Sequence, residues 1–155
     1  MTMRDLHNNI AVVGAIHPRT IVNSGSPENL VSGDIDLQGF NGAEIIAHLG
    51  DIDELGGSPV GSAKVELVLE HADEAAAGDD TAGTYSFVAL ADVLGPTSVS
   101  SGIVASTTAD GGVQLQVGYI GDKRFIRVTL QPTGLTNGGP ISAAVIKGIP
   151  RHAPQ

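Results

Sequence analysis

Apolar and polar residues alternate with a period of two through most of this 155-residue chain, and no stretch of ten or more keeps the spacing of a helix. The cleanest run is 62–72, SAKVELVLEHA, where Val65, Leu67 and Leu69 face one way and Lys64, Glu66, Val68 and Glu70 the other. That pattern predicts a strand in a sheet with one dry and one wet face. The second strong signal is 113–131, VQLQVGYIGDKRFIRVTLQ. Val113, Leu115, Val117 and Tyr119 alternate before Gly121-Asp122, so the stretch reads as a β-hairpin closed by a II′-type or bulged turn. On its second strand Lys123, Phe125, Arg127 and Thr129 share one face, and Arg124, Ile126, Val128 and Leu130 share the other.

Weaker signals fill the remainder. Short apolar runs at 10–13 and 15–22 are interrupted by Pro18, and Val31, Ile35 and Leu37 alternate within 31–40. Further strands are expected at 42–52, 84–95 (ending in a short helical turn), 100–112 and 141–149. Clusters of Gly, Pro, Asn and Ser mark turns at 23–27 and 132–140. The acidic segment 73–83, DEAAAGDDTAG, reads as a solvent loop with room for one helical turn at 74–77. About eight short strands spaced this way predict an all-β, single-domain β-sandwich or β-barrel, jelly-roll-like, with long loops. Residues 1–22 form either an N-terminal arm or the first strands, 23–150 the sandwich, and 151–155 a flexible tail.

Composition sharpens this picture. A chain of this length buries enough surface for a core without staples. It has no cysteine, which removes disulfides and thiolate metal sites. The opening MTMRDLHNNIAVVGAIHP lacks the layout of a signal peptide, and no run approaches a membrane span, so no membrane partner is expected. Twenty-one glycines and many β-branched residues suit short strands and tight turns. Charged residues are only 16% of the chain, a sparse exterior for a free globule.

Candidate chemistry is thin. His48, Asp51, Asp53 and Glu54, and again His71, Asp73 and Glu74, bring imidazoles near carboxylates, but neither spacing matches a calcium loop or a zinc motif. No serine sits in a nucleophile elbow, and the paired glycines precede no phosphate-binding helix. With no Trp, two Tyr and three Phe, sugar platforms are scarce, which argues against glycosidases and carbohydrate-binding modules alike. A net charge of −9 opposes nucleic-acid binding. The expectation is a non-enzymatic protein with no cofactor and no metal.

Charge placement is the one anomaly. Residues 1–122 carry 3 Lys/Arg against 17 Asp/Glu, whereas 123–155 carry 5 Lys/Arg and no acid. Lys123, Arg124 and Arg127, with Phe125 between them, make a candidate partner-binding site, because arginine and aromatic residues are enriched at protein interfaces. The plain alternative is that these cations pair with acids on neighbouring strands.

Across the chain, DLHNNIAVVGAIHP, DIDLQGFNGAEIIAHLG, VELVLEHADE, FVALADVLG, VGYIGDKRFIRVTL and SAAVIKGIPRHAP, in that order, resemble small structural proteins of tailed bacteriophages encoded beside the major capsid protein. The resemblance implies a head decoration or cement protein located in the virion and assembled in the host cytoplasm. The partners it implies are the major capsid protein and further copies of the chain itself, in an oligomer such as a trimer. A head–tail joining or tail structural protein is the alternative role.

Overall fold

In the computed structural model the described residues are 6–22, 28–57, 59, 62–95, 103–109 and 112–150, with the side chains of 103–106 left aside. They fold into two antiparallel sheets packed face to face, a β-sandwich with no closed barrel. One sheet, A, contains β1 (Ala11–Ile21), β4 (Phe40–Leu49), β7 (Val93–Leu94), β9 (Val113–Tyr119) and β11 (Gly139–Pro150), in the order β1-β11-β4-β9-β7. The other, B, contains β2 (Leu30–Val31), β3 (Ile35–Asp36), β5 (Lys64–Ala72), β6 (Ser86–Phe87), β8 (Ile103–Thr107) and β10 (Phe125–Thr133). Strands β5 and β10 pair along their length, and the other four flank them. The only helical pieces among the described residues are three short 3-10 turns, and none could cross a membrane.

The alternating residues make the core. Val65, Leu67 and Leu69 of β5 and Ile126, Val128 and Leu130 of β10 meet Ile45, Ala47 and Leu49 of β4, Leu115 and Val117 of β9, and Val145 of β11. Each strand therefore spends one side of its pleat on the space between the sheets, where burying a Leu or Ile stabilises by about 1.5–3 kcal/mol.

The expected hairpin is not one. Strand β9 pairs with β4 and β7 in sheet A, while β10 pairs with β5, β2 and β3 in sheet B. Residues 120–124 carry the chain from one sheet to the other, so the two strands lie in different sheets instead of side by side in one. Most connections between the described strands cross this way; only β2–β3 and β5–β6 stay within one sheet. Gly121 is required by space and not by hairpin geometry, because a Cβ there would lie 2.5 Å from the Tyr119 hydroxyl oxygen.

Other expectations shift in informative ways. Within 1–22, β1 is one edge strand, bulged between Gly14 and Ile16 and between Ile16 and Arg19, and it pairs with β11. The 31–40 run breaks into β2 and β3. At the break the Ser32 hydroxyl accepts the Val128 N–H at 3.0 Å, satisfying a donor that a continuous strand would have paired. The outer face of β5 is not wet, since Glu66 and Val68 are buried along with the inner residues. The acidic loop 73–83 is held by a bridge between Glu74 and Ala82 and forms no helical turn. The long 132–140 turn is shorter than expected, because β10 runs to Thr133 and β11 begins at Gly139. Gly138 has φ +67° and packs against the Ile21 carbonyl, so this position excludes any side chain. The expectations for 23–27 and 151–155 lie outside the described residues.

Candidate functional site

The cationic segment lies at the end of the sandwich, where β10 begins and three loops converge. Its centre is Arg124. Its Nε and Nη2 donate to Asp36 Oδ1 and Oδ2 at 3.0 and 2.7 Å, a bidentate pair with the neighbouring strand. Nη1 donates to Glu74 Oε1 at 2.7 Å and to the Asp79 carbonyl at 3.0 Å. Nη2 also reaches Asp80 Oδ1 at 2.8 Å and Gln38 Oε1 at 3.1 Å. The side chain is only 12% exposed. One guanidinium thus ties β3 and the 73–83 loop to the start of β10, using every donor it has.

Its neighbours follow the same rule. Lys123 Nζ donates to Asp73 at 2.7 Å. Arg127 sits directly opposite Glu70 on β5 and donates to its Oε2 at 3.1 and 2.9 Å. The Arg127 guanidinium lies 4.1 Å from the centre of the Tyr85 ring, and the Tyr85 hydroxyl donates to Asp34 at 2.8 Å. Lys147 donates to the Asp36 carbonyl at 3.1 Å. Lys123, Arg124 and Arg127, from the acid-free end of the chain, therefore meet acids from the acid-rich part.

Phe125 requires a correction. The alternation placed it on an exposed face as an interface anchor; it is 3% exposed. It does point away from the core with Arg127 and Thr129, but the Arg124 guanidinium covers it at 4.9 Å. Of the four residues expected to form a docking patch, Phe125 is buried, and the other three are engaged within the molecule.

Electrostatics agree with the geometry. The Arg124 hydrogen bonds hold the Asp36 and Glu74 carboxyls below the usual carboxylate range, and those acids push the Arg124 guanidinium up in turn. The hydrogen bond to Asp73 raises the Lys123 ammonium. Burial pushes the Tyr119 phenol up to about 12. That hydroxyl accepts the Lys123 backbone N–H at 3.1 Å and shares a hydrogen bond with Nδ1 of buried His71, 3.1 Å away on the opposite sheet.

The metal candidates disperse. His48 is exposed on the outer face of sheet A, and Asp51 and Asp53 lie in the loop and turn beyond it. His71 points into the sandwich while Asp73 and Glu74 stand outside it. Among the described residues no group of three or more His, Asp or Glu is placed to hold a metal ion. Glu54 does something the sequence did not announce. Its Oε1 accepts backbone N–H groups of Thr136, Asn137 and Gly138 at 3.1, 2.5 and 3.4 Å, fastening the β10–β11 turn, and these bonds lower its carboxyl pKa. The TNGG turn gave a hint, since its successive amides need an acceptor, but nothing in it named a residue 82 positions away.

No protein-family model matches the chain, and a search of curated proteins returns no match.

Proposed function

We propose that the chain is a non-enzymatic structural component of a phage virion, a capsid decoration or cement protein that binds the outer surface of the head and stabilises it. Its partners on this reading are the major capsid protein and other copies of itself. The observation that carries the proposal is that large apolar side chains are exposed on both outer faces of the sandwich. Val12, Leu94, Ile120 and Ile149 are exposed on or beside the outer face of sheet A. Val31 and Phe87 are exposed on the outer face of sheet B, with Leu90 in the turn beyond. A part that touches both a shell and its own neighbours needs contact groups on two sides, and contiguous exposed apolar groups mark contact sites. The resemblance drawn from the order of sequence segments points the same way.

The test is the copy number of the chain in purified virions relative to the major capsid protein. A ratio between about one-third and one is expected of a shell component whose copies follow the capsid lattice. A handful of copies per particle would move the protein to the neck or tail, and absence from virions would overturn the proposal.

A further inference from the structure

The outer face of sheet A has the features of a surface made for a second copy of this chain. Two cross-strand rows run over it, Val12–Ile146–Glu44–Gly118–Leu94 and Gly14–Ala144–Ile46–Gln116. Glu44 is the one charged side chain in both rows. Beside them Gly148 pairs with Gly42. Glycine inside a strand gives up packing and β propensity, and it recurs where another backbone or a ligand approaches closely. Here Gly42, Gly118 and Gly148 floor a groove of about 230 Å³ lined also by Leu94, Ile120, Ile146, Ile149 and Glu44; Gly42 and Gly118 are already crowded by the Tyr119 carbonyl and by Leu94 and Glu44. A Cβ on Gly148 would meet nothing within 4 Å, so that part of the floor is open.

Ile149 stands at the rim. Strand alternation would send its side chain to the inner side after Gly148. Instead its φ is +55°, a conformation that β-branched residues avoid, and its Cδ1 lies near Gly42 on the outer face. The side chain is left 68% exposed. Strained backbone of this kind persists where the surroundings hold it, and it gathers at functional surfaces. An aliphatic knob thus stands next to an aliphatic groove on the same face. A two-fold interface requires that combination, because one patch must complement itself.

Charge selects the occupant. The chain carries −9, and acids crowd the loops around Arg124. Two copies would repel there, whereas the two sheet A rows carry a single charged side chain per copy, Glu44, which lies at the groove. We propose that two copies of the chain pair face to face through the outer surface of sheet A, Ile149 of each entering the glycine-floored groove of the other. This deepens, and in part rests on, the reading of the chain as an assembly component, and it assigns the self-contact to a surface.

Sedimentation velocity on the purified full chain from about 1 to about 100 μM tests it. The expected result is a concentration-dependent dimer. Leu94→Asp and Ile149→Asp, both at exposed positions, should each weaken it by about 30-fold or more with the circular dichroism melt retained. Phe87→Asp, on the opposite sheet, should leave it unchanged. Should either aspartate variant fold poorly, Ile120→Ser provides a milder version of the same disruption. A wild-type chain monomeric throughout the range, or a dimer that survives these sheet A changes, overturns the inference. A monomer present in virions at shell copy number would sink the pairing and spare the proposed function; a dimer absent from virions would do the reverse.

Discussion

The Arg124 end of the sandwich and the outer face of sheet A exchange roles between sequence and structure. The first gathers three cations in five residues and looks like a place to grip something; in the fold those cations are bound to Asp36, Glu70, Asp73, Glu74 and Asp80 of the same chain. The second is a run of Gly, Ala and Ile with no evident chemistry, yet it carries the open groove and the strained Ile149. Charge concentrated in a short segment is more informative about what the molecule must hold together than about what it binds. On the pairing proposed above, the glycine-rich apolar face with few charges is the one that makes contact.

The largest effect is expected at Arg124. Arg124→Met keeps the bulk over Phe125 but leaves the carboxylates of Asp36, Glu74 and Asp80 clustered without their cation. The thermal melt should fall by several degrees, with early proteolysis in 73–83. An unchanged melt would mean that the network is decorative. Next is Tyr119→Phe, which leaves the His71 Nδ1 and the Lys123 N–H without their partner; urea denaturation should register a loss of about 1–3 kcal/mol.

Acid titration probes the same contrast with a smaller effect. The pKa values of Asp36, Glu74 and Glu54 are depressed in the folded state, so the stability they contribute is present above their unfolded values of about 4. It is lost as pH falls through the lower folded values. Stability should therefore hold from pH 7 to about 5 and decline below about 4, and Arg124→Met should flatten that decline. At the alkaline end the raised Tyr119 works in the opposite direction. Its contribution is complete below the unfolded value of about 10 and disappears as pH rises toward 12. Lys123→Ala, which breaks an ion pair whose acid is largely exposed, should move the melt least of all.

Much of the fold was legible because a period of two marks which side of a strand is buried. Val65, Leu67 and Leu69, and Ile126, Val128 and Leu130, are core residues as their spacing required. The same period does not reveal whether consecutive strands are neighbours in one sheet or opposite each other across two. That is why 113–131 resembled a hairpin; the crossing depends on Tyr119 packing on Gly121 and bonding to Lys123, contacts that no turn signature records. Phe125 was misplaced for a related reason. Its face of the sheet followed from alternation, but its cover comes from an arginine whose own partners lie 44 to 88 positions away. Pairing of the scattered acids with the terminal cations was legible only as a balance of charge. The sheet A groove left no mark, since Gly42, Gly118 and Gly148 fall in three separate predicted strands and only the register brings them together.

The salt dependence of self-association by the intact chain, followed by sedimentation from about 0.05 to about 1 M NaCl, separates the two regions in a single experiment. If the charged end is occupied internally and contact is made through the apolar face, the dimer should persist or strengthen as salt screens the repulsion between two chains of −9. A dimer that dissolves on adding salt would return the contact to Lys123, Arg124 and Arg127 and contradict the assignment of self-contact to sheet A.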